Sequence, residues 1–306
     1  MPQRSNFRSV VLPAALAALV SVFAGVASAQ NPDSVRISTE QLADGVYALF
    51  GEGGNIGLAV GTDAVFVVDD QFAPLTPKIL AAIAAVTDKP VRFVVNTHWH
   101  FDHTGGNEHM GQAGALLVAH ENVRRRMSTR QFIDFLKREE MPSPAGALPV
   151  VTFTDVLTFH INDGEITAVH LPAAHTDGDA AIYFRRANVV HMGDVYVQYG
   201  FPFIDLSSGG SLDGMIRGVD KILGLINDST KIIPGHGRPA DRVALRTYRD
   251  MLATVRDRVR KQAAAGASLA RILASKPTRE FDAEWGKGFV KADDFVRIAY
   301  AGVPPR

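Results

Sequence analysis

The sequence contains one short stretch whose residue types could bind a metal ion, His98-Trp99-His100-Phe101-Asp102-His103. Three imidazoles and one carboxylate lie within six positions, although the whole chain of 306 residues has only 10 histidines. Imidazole and carboxylate groups are good ligands for zinc and similar divalent ions. The alternative is a polar loop that is rich in histidine by chance, and the density of ligand groups favours the metal site.

The sequence on either side predicts that this stretch lies on a loop at the end of a strand. Val91–Val95 is apolar and β-branched, which is typical of a buried strand. The glycines of Thr104-Gly105-Gly106-Asn107 then let the backbone turn sharply. An earlier strand that ends at Asp69 and a helix predicted over Pro77 to Val86 complete a βαβ unit. In α/β proteins, sites are built at the carboxyl ends of such strands.

The histidine-rich stretch and several other segments resemble the metallo-β-lactamase-fold superfamily of metallohydrolases. His98–His103 matches the HxHxDH signature of that family. The other expected elements occur in the right order: Asp69, Ala174-His175-Thr176, Met192-Gly193-Asp194-Val195 and Pro234-Gly235-His236-Gly237. The resemblance implies an α/β protein built as a four-layer αββα sandwich, with metals in a groove at one edge of the two sheets. Periodicity alone predicts only mixed α/β sheets.

The resemblance also implies the metal ligands. One ion would be bound by His98, His100 and His175, and a second by Asp102, His103 and His236, with Asp194 as a bridge. Asp102 and Asp194 are also assigned catalytic roles. The expected cofactor is a pair of zinc ions, with iron or manganese as alternatives. Two such ions activate water for attack on a carbonyl, so that no Ser or Cys nucleophile is required.

Other residues near these motifs are interpreted from their neighbours. Asp69 is expected to orient a ligand imidazole rather than to bind metal. The segment Tyr196–Phe203 contributes four aromatic residues after Asp194, which either line an apolar pocket or fill the core. No Arg or Lys is visibly placed to bind a substrate carboxylate. The histidines that match no motif are interpreted as structural or surface groups: His109, His120, His160, His170 and His191.

Residues 1–29 are typical of a signal peptide. Arg4 and Arg8 precede an apolar run, and Ala27-Ser28-Ala29 fits a signal-peptidase site, so we expect the mature protein to begin at Gln30. The alternative is an uncleaved membrane anchor, but Pro13 and the small residues at the end of the run favour cleavage. The prediction is therefore an exported protein, periplasmic or secreted, without a stable membrane span after cleavage.

Composition excludes several other classes. The chain has no cysteine, which rules out disulfides, thiolate ligands and a lipoprotein anchor. Its 32 basic residues balance 32 acidic residues, and the one basic run is Arg124-Arg125-Arg126, so nucleic-acid binding is not expected. We expect a small-molecule substrate. The sequence makes no prediction of the oligomeric state.

The length predicts one large domain with an appendix. Residues 30–262 are assigned to the metallo-β-lactamase-fold domain and residues 263–306 to a C-terminal helical tail. The tail could pack on the domain, form a dimer contact or contribute to the pocket rim, and packing is the expected outcome. Within the domain, the charge-rich segment from Glu121 to Glu140 is predicted to be helical. Leu212 to Ile226 is predicted to be a helix capped by Ser211.

Differences from individual branches of the superfamily limit the prediction of the substrate. Zinc β-lactamases with a cysteine ligand have Cys at the position of Asp194 and a Lys three positions later, where this chain has Val197. Glyoxalase II enzymes and lactonases share the bridging Asp, yet this chain departs from glyoxalase II at Ala173-Ala174 and lacks the lactonase Tyr three positions after Asp194. Persulfide dioxygenases bind one iron through the equivalents of His98, His175 and Asp194.

We therefore expect an exported binuclear zinc hydrolase that cleaves an ester, lactone, thioester or amide bond in a small molecule. One alternative is β-lactam hydrolysis as a main or side activity. A second alternative is a mononuclear iron oxygenase of the same fold. A third is a non-catalytic metal-binding accessory protein, in which the ions mainly stabilise the fold.

Overall fold

The computed structural model of the chain describes Met1 and residues 31–303. The predicted signal peptide, residues 1–29, and its expected cleavage site lie outside the described residues apart from Met1. The described strands are β1 (Ser38–Ala43), β2 (Val46–Phe50), β3 (Ile56–Val60), β4 (Val65–Val68), β5 (Val91–Val95), β6 (Leu116–His120), β7 (Gln131–Ile133), β8 (Arg138–Glu140), β9 (Val151–Phe153), β10 (Val156–Ile161), β11 (Gly164–His170), β12 (Ala180–Phe184), β13 (Val189–His191) and β14 (Lys231–Ile233). The described α-helices are α1 (Thr76–Ala84), α2 (Phe101–Thr104), α3 (Asn107–Gln112), α4 (Glu121–Met127), α5 (Leu212–Leu225), α6 (Arg242–Ala264), α7 (Leu269–Ala274), α8 (Asp282–Trp285) and α9 (Ala292–Ala301).

Two mixed sheets form the centre of the fold. The first has the strand order β1-β2-β3-β4-β5-β6-β9 and the second the order β10-β11-β12-β13-β14. Phe66 and Val95 of the first sheet share one buried apolar cluster with Ile166 and Ile182 of the second. Side chains from the inner faces of both sheets therefore interdigitate, and the two sheets pack face to face.

Helices cover the outer face of each sheet. Ile79 of α1 and Met110 of α3 share a buried cluster with Leu58 of β3 in the first sheet. Met215 of α5 shares a second cluster with Ile232 of the second sheet and with the buried face of α6. The order of the layers is thus helix, sheet, sheet and helix. This confirms the predicted α/β class and the four-layer αββα sandwich.

The βαβ unit predicted around the histidine-rich stretch is present. β4 and β5 pair in parallel, and β5 pairs in parallel with β6. α1 connects β4 to β5 and begins at Thr76, with Pro77 in its first turn, where a missing amide proton costs nothing. The strands β4, β5, β6 and β9 all run in the same direction. The loop after β5 therefore lies at the edge of the sheet where the carboxyl ends of these strands meet.

The prediction of a helix from Glu121 to Glu140 is wrong beyond Met127. α4 ends at Met127, and the chain then forms the hairpin β7–β8, in which Gln131 pairs with Glu140. Two local features explain the difference. Ile133 is fully buried, which favours the strand that its β-branched side chain prefers, and Lys137 takes a left-handed φ of 50° in the turn. The charges of this segment therefore indicated exposure rather than a helix.

The C-terminal helices pack on the sandwich. α6 continues to Ala264, so the predicted division after residue 262 falls in its last turn, and that division stays a prediction. Phe295 of α9 is fully buried and stacks on Phe201 with ring centres 4.8 Å apart. Packing of the tail is therefore the arrangement that the structure shows. Within the described range, no helix combines the length and the apolar character that a membrane span requires.

Candidate metal centre

Seven candidate ligands converge at one edge of the sandwich, and each of the four segments that carry them follows a strand. The segment after β5, a short loop that leads into α2, carries four of them, and the turns after β11, β13 and β14 carry one each. The structure brings together all seven residues that the sequence singled out: His98, His100, Asp102, His103, His175, Asp194 and His236. Their placement agrees with the rule that sites form at strand ends.

The seven residues form two sets with one carboxylate between them. We call His98, His100 and His175 the first ligand set, and Asp102, His103 and His236 the second ligand set. Within each set the potential ligand atoms lie within 4.8 Å of one another. Asp194 lies between the sets: its Oδ2 is 3.7 Å from His175 Nε2, and its Oδ1 is 3.2 Å from His103 Nε2 and 3.4 Å from His236 Nε2. This is the position that a bridging carboxylate requires.

Asp69 orients imidazoles of both ligand sets. Its carboxylate accepts hydrogen bonds from the Thr97 amide, the Thr97 hydroxyl and His103 Nδ1, each at 2.7 Å. Because the Thr97 hydroxyl donates its proton to Asp69, it can only accept at 3.0 Å from His98 Nδ1. The Nε2 lone pairs of His98 and His103 are therefore free for a cation. Asp69 is fully buried and takes a left-handed φ of 61°, a strained conformation of the kind that clusters at functional sites.

The other two imidazoles of the first set are held in the same way. His175 Nδ1 donates to the Phe203 carbonyl at 2.8 Å, and His100 Nε2 donates to Asp205 Oδ2 at 3.1 Å. Their remaining nitrogens, His175 Nε2 and His100 Nδ1, face each other at 2.9 Å. This places two potential nitrogen ligands side by side, where one cation could bind both of them.

Asp205 is a functional residue that sequence reasoning missed. It belongs to none of the motifs, and it reaches His100 across 105 positions of the chain. The hydroxyls of Ser207 and Ser208 donate to its carboxylate. The one local signal is the sequence Asp205-Leu206-Ser207-Ser208, which is typical of a capped turn and does not indicate a contact with a distant histidine.

Two glycines permit the close packing around the second set. A side chain at Gly54 would overlap the imidazole of His103, and a side chain at Gly235 would overlap the carboxylate of Asp194. The Gly54 amide also donates to the Asp102 carbonyl at 2.9 Å. Larger residues at either position would displace a ligand group.

The donor set fits a divalent cation. His98 Nε2 and Asp194 Oδ1 are buried and have no hydrogen-bond partner among the described residues. A buried polar atom without a partner costs about 1–3 kcal/mol, and native proteins seldom gather several at one point. A cation bound between the inward-facing nitrogens and the carboxylate would satisfy all of them. Imidazole with carboxylate and no thiolate is a donor set that suits zinc, and also iron or manganese.

The two sets differ in their electrostatics. Burial lowers the pKa of His98 well below its ordinary value and lowers the pKa of His175 to about 4. Burial also acts on the second set, but the neighbouring carboxylates, Asp194 above all, outweigh it there. As a result the pKa of His103 rises well above its ordinary value and that of His236 rises to about 9. His98 and His175 of the first set are therefore neutral at pH 7 without metal, whereas His103 and His236 of the second set bind protons.

A cavity of about 760 Å³ opens onto the metal centre. Its floor includes Asp102, Asp194 and His236. Its walls are largely apolar and consist of Phe101, Ile133, Leu136, Tyr199, Phe203 and Phe289, together with Arg138. The aromatic segment after Asp194 is thus divided between the two interpretations, because Tyr199 and Phe203 line the cavity whereas Tyr196 and Phe201 lie in the core.

Arg138 corrects the expectation that no basic residue lies near the substrate. It could not be placed from the sequence, because the segment from Glu121 to Glu140 was predicted to be one helix. The hairpin that forms instead carries Ile133, Leu136 and Arg138 to the cavity wall. The mouth of the cavity is therefore built by a part of the chain that matches no motif of the family.

The histidines outside the motifs have structural or surface positions. His191 Nε2 contacts the Asn55 carbonyl at 2.9 Å, and its Nδ1 accepts from the Gly193 amide next to Asp194. His120 and His170 stack on each other with ring centres 3.7 Å apart. The remaining two, His109 and His160, are exposed.

The fold and the cluster define the class of protein, and the sequence comparison agrees. The model of the metallo-beta-lactamase superfamily matches residues 49–259, and the chain belongs to that family. It is 23% identical over 228 residues to the acyl-coenzyme A thioesterase MBLAC2 of Bos taurus, covering 64% of this chain and 80% of that protein. It is 24% identical over 157 residues to the probable metallo-hydrolase YqgX of Bacillus subtilis (strain 168), covering 48% of this chain and 69% of that protein.

Solved structures share the fold at low sequence identity. The inverting sec-alkylsulfatase Pisa1 from Pseudomonas sp. gives a TM-score of 0.66 at 19% identity over 86% of this chain, which spans 50% of the sulfatase chain. A metallo-beta-lactamase from Pontibacter korlensis gives a TM-score of 0.60 at 17% identity, with 71% of this chain and 99% of that chain covered. The protein is thus an enzyme of this superfamily, a metal-dependent hydrolase.

Proposed function

We propose that the protein is a binuclear zinc hydrolase that cleaves an ester, thioester, lactone or amide bond in a small molecule with an apolar portion. The observation that carries the proposal is the position of Asp194 between two complete three-residue ligand sets. The apolar cavity above them supports a small substrate with a hydrophobic part. The amino-terminal sequence supports export to the periplasm or the medium.

The first ligand set would hold one zinc ion and the second set another, with Asp194 shared between them. When bound, two zinc ions polarise the substrate carbonyl and lower the pKa of water towards about 7. Asp69 and Asp205 keep the ligand imidazoles in the orientation that binding needs. The two sets and Asp194 follow the ends of four separate strands, so this geometry is built onto the edge of the sheets.

The remaining cavity residues orient the substrate. Phe203 and Phe289 exclude water from one side of the scissile bond, which strengthens electrostatic interactions there. The Tyr199 hydroxyl accepts from the Phe203 amide at 3.3 Å, and burial raises its pKa above the ordinary value. Tyr199 therefore keeps its proton and can donate it in a hydrogen bond to the carbonyl or leaving-group oxygen. Asp102 and Asp194 are the carboxylates of the cavity lining, and their catalytic role would be to hold the zinc ions beside the attacking water.

β-Lactam hydrolysis is a second candidate because Arg138 lies in the cavity wall and could bind the carboxylate of a β-lactam. Some zinc β-lactamases instead carry a substrate-binding Lys at the position of Val197, which is fully buried in this chain. We expect at most weak activity on penicillins and carbapenems, because the apolar walls favour a more hydrophobic substrate.

A substrate screen on the purified, zinc-loaded protein tests the proposal. Thioesters, aryl esters, lactones and β-lactams are assayed with and without a chelator, beside the zinc and iron content per chain. We expect roughly two zinc ions per chain, together with hydrolysis that the chelator abolishes and added zinc restores. About one iron per chain with oxygen consumption would instead indicate the oxygenase. Full zinc content without turnover would indicate an accessory protein.

A further inference from the structure

Arg138 is a basic residue whose guanidinium is fixed in the wall of the substrate cavity. Its Cζ lies 3.8 Å from the centre of the Phe101 ring. Glu140, two positions further along β8, forms an ion pair with Arg138 Nε. Residues two apart on a strand point to the same face. The cation–π contact and the ion pair therefore hold a long side chain in one place at the cavity wall.

The outer edge of this guanidinium has no partner of its own. Among the described residues, the ion pair with Glu140 at Nε is the only polar interaction of the Arg138 side chain, and its two terminal NH₂ groups donate to no acceptor there. Arg126 shows the contrast, because both its Nε and its Nη2 donate to the carboxylate of Asp177. A guanidinium with free terminal donors is suited to bind a carboxylate or phosphate through two parallel hydrogen bonds.

The cavity has a polar side and an aromatic side. Phe101, which lies under Arg138, directly precedes Asp102 of the second ligand set. On the other side, Phe203 stacks on His100 of the first set with ring centres 5.8 Å apart. Phe135 packs against both Phe203 and Phe289, with ring centres 5.1 Å and 5.3 Å apart. Phe203 and Phe289 line the cavity and we call them the aromatic wall, whereas Phe135 packs against both without lining the cavity.

We propose that Arg138 binds an anionic group of the substrate, a carboxylate or a phosphate, while the aromatic wall holds its apolar part. The substrate class is then an amphiphilic ester or thioester that carries a negative charge away from the scissile bond. This inference rests on the proposed hydrolase function. It adds the orientation of the substrate, with its charged end over the second ligand set and its apolar end over the first.

Three variants separate this role from a structural one. Arg138→Gln removes the charge but keeps a polar side chain of moderate length, and Arg138→Lys keeps the charge without the planar fork of donors. The matched control is Arg130→Gln. Arg130 directly precedes β7 of the same hairpin and pairs with Glu139 of β8 at 2.7 Å, but its side chain is 65% exposed and does not line the cavity.

Two pairs of substrates distinguish a carboxylate from a phosphate. The carboxylate pair is 4-nitrophenyl hydrogen glutarate and 4-nitrophenyl pentanoate, which differ only in the charged end of the acyl chain. The phosphate pair is butyryl-coenzyme A and S-butyryl-N-acetylcysteamine, which share the acyl group and the thioester. The quantity compared is the ratio of kcat/KM within each pair, for the wild type and each variant.

We expect the wild type to prefer the charged member of at least one pair. Arg138→Gln should lower kcat/KM for that member about 10- to 100-fold, mainly through KM, because a hydrogen bond to a charged group is lost. The uncharged member should change less than about twofold, since it makes no such bond. Arg138→Lys should retain part of the preference, and Arg130→Gln should retain all of it.

The outcomes separate this inference from the proposed function. Hydrolysis of the uncharged members without any preference for charge, or equal losses on both members in Arg138→Gln, would overturn the inference and leave the hydrolase in place. Absence of all hydrolysis would overturn the proposed function. In that event, calorimetric titration of the zinc-loaded protein with glutarate and with pentanoate tests whether Arg138 binds the anionic group. A tighter binding of glutarate that Arg138→Gln abolishes upholds the inference, and equal binding overturns it.

Discussion

The two ligand sets of the metal centre lie side by side but differ in burial and in charge. The first set consists of three imidazoles whose exposed fractions are 1% for His98, 4% for His100 and 0% for His175. In the second set, the side chains of Asp102 and His236 are 21% and 23% exposed and line the cavity. The first set is thus a closed pocket of three imidazoles, and the second is a more open set that includes a carboxylate.

The difference separates two tasks within one centre. Each imidazole of the first set has its outer nitrogen held by a protein acceptor, so the first set is preorganised whether or not metal is bound. The second set carries the exposed groups that face a substrate, and its histidines hold protons when metal is absent. We infer that the first set binds metal more firmly and that the second set controls activity.

Loss of a first-set ligand should have the largest effect. His98→Ala removes one of the three imidazole ligands of the first set. We expect loss of the first metal together with a fall in turnover on the order of 10³-fold or more. Zinc per chain and turnover are measured on the same preparation. The control is His109→Ala, which alters an exposed histidine outside the centre. Full metal content and full rate in His98→Ala would remove it from the ligand set.

Asp194→Ala should spare one metal and still lose most of the rate. The first set keeps all three imidazoles, so its metal should remain bound. The carboxylate that links the two sets is gone, and loss of a principal electrostatic element costs about 10²–10³ in rate. Zinc analysis beside turnover checks this prediction. Unchanged turnover with two zinc ions still bound would show that Asp194 is only a carboxylate at a strand end.

Substitution of the two orienting carboxylates should have smaller and unequal effects. Asp69→Asn disturbs His103 directly and His98 through Thr97, whereas Asp205→Asn disturbs His100 alone. Loss of such outer partners typically costs about 10- to 100-fold in metal affinity or activity. We expect Asp69→Asn to be the more severe of the two in a zinc-affinity titration. A larger loss in Asp205→Asn would contradict this ranking.

The zinc content should fall in two steps as the pH is lowered. Without metal, His236 has a pKa of about 9, so protons compete for the second set throughout the range below that value. The pKa of His175 is about 4, so protons compete with zinc for this ligand of the first set only near that pH. Acidification should therefore release the second metal first. Zinc per chain after dialysis at a series of pH values measures this, and simultaneous release of both ions would contradict it.

The sequence predicted the parts of the site that lie in local patterns. His98 and its neighbours follow a recognisable buried strand, and Asp194 and His236 follow short strands within motifs of the family. The layered fold followed from that resemblance, because hydrophobic periodicity does not determine how two sheets pack. The orienting role expected for Asp69 agrees with its three hydrogen bonds.

The parts that the sequence did not predict depend on contacts between distant residues. Asp205 meets His100 only after the chain has folded, since 105 positions separate them. The position of Arg138 could not be predicted, because the charge-rich segment around it is equally compatible with a helix. The burial of Ile133 favours the hairpin that the structure shows. Tyr199 reaches the cavity and Tyr196 the core because tertiary packing, not residue type, sends alternate aromatic residues to different sides.

A zinc titration of the metal-free protein tests the central claim most directly. Zinc is added in steps while bound metal and hydrolysis of the best substrate from the screen are followed together. We predict that the first equivalent binds with little activity, and that activity rises mainly with the second equivalent, when the Asp102–His103–His236 set is filled. Full activity after a single equivalent, or saturation with only one ion per chain, would contradict the binuclear account.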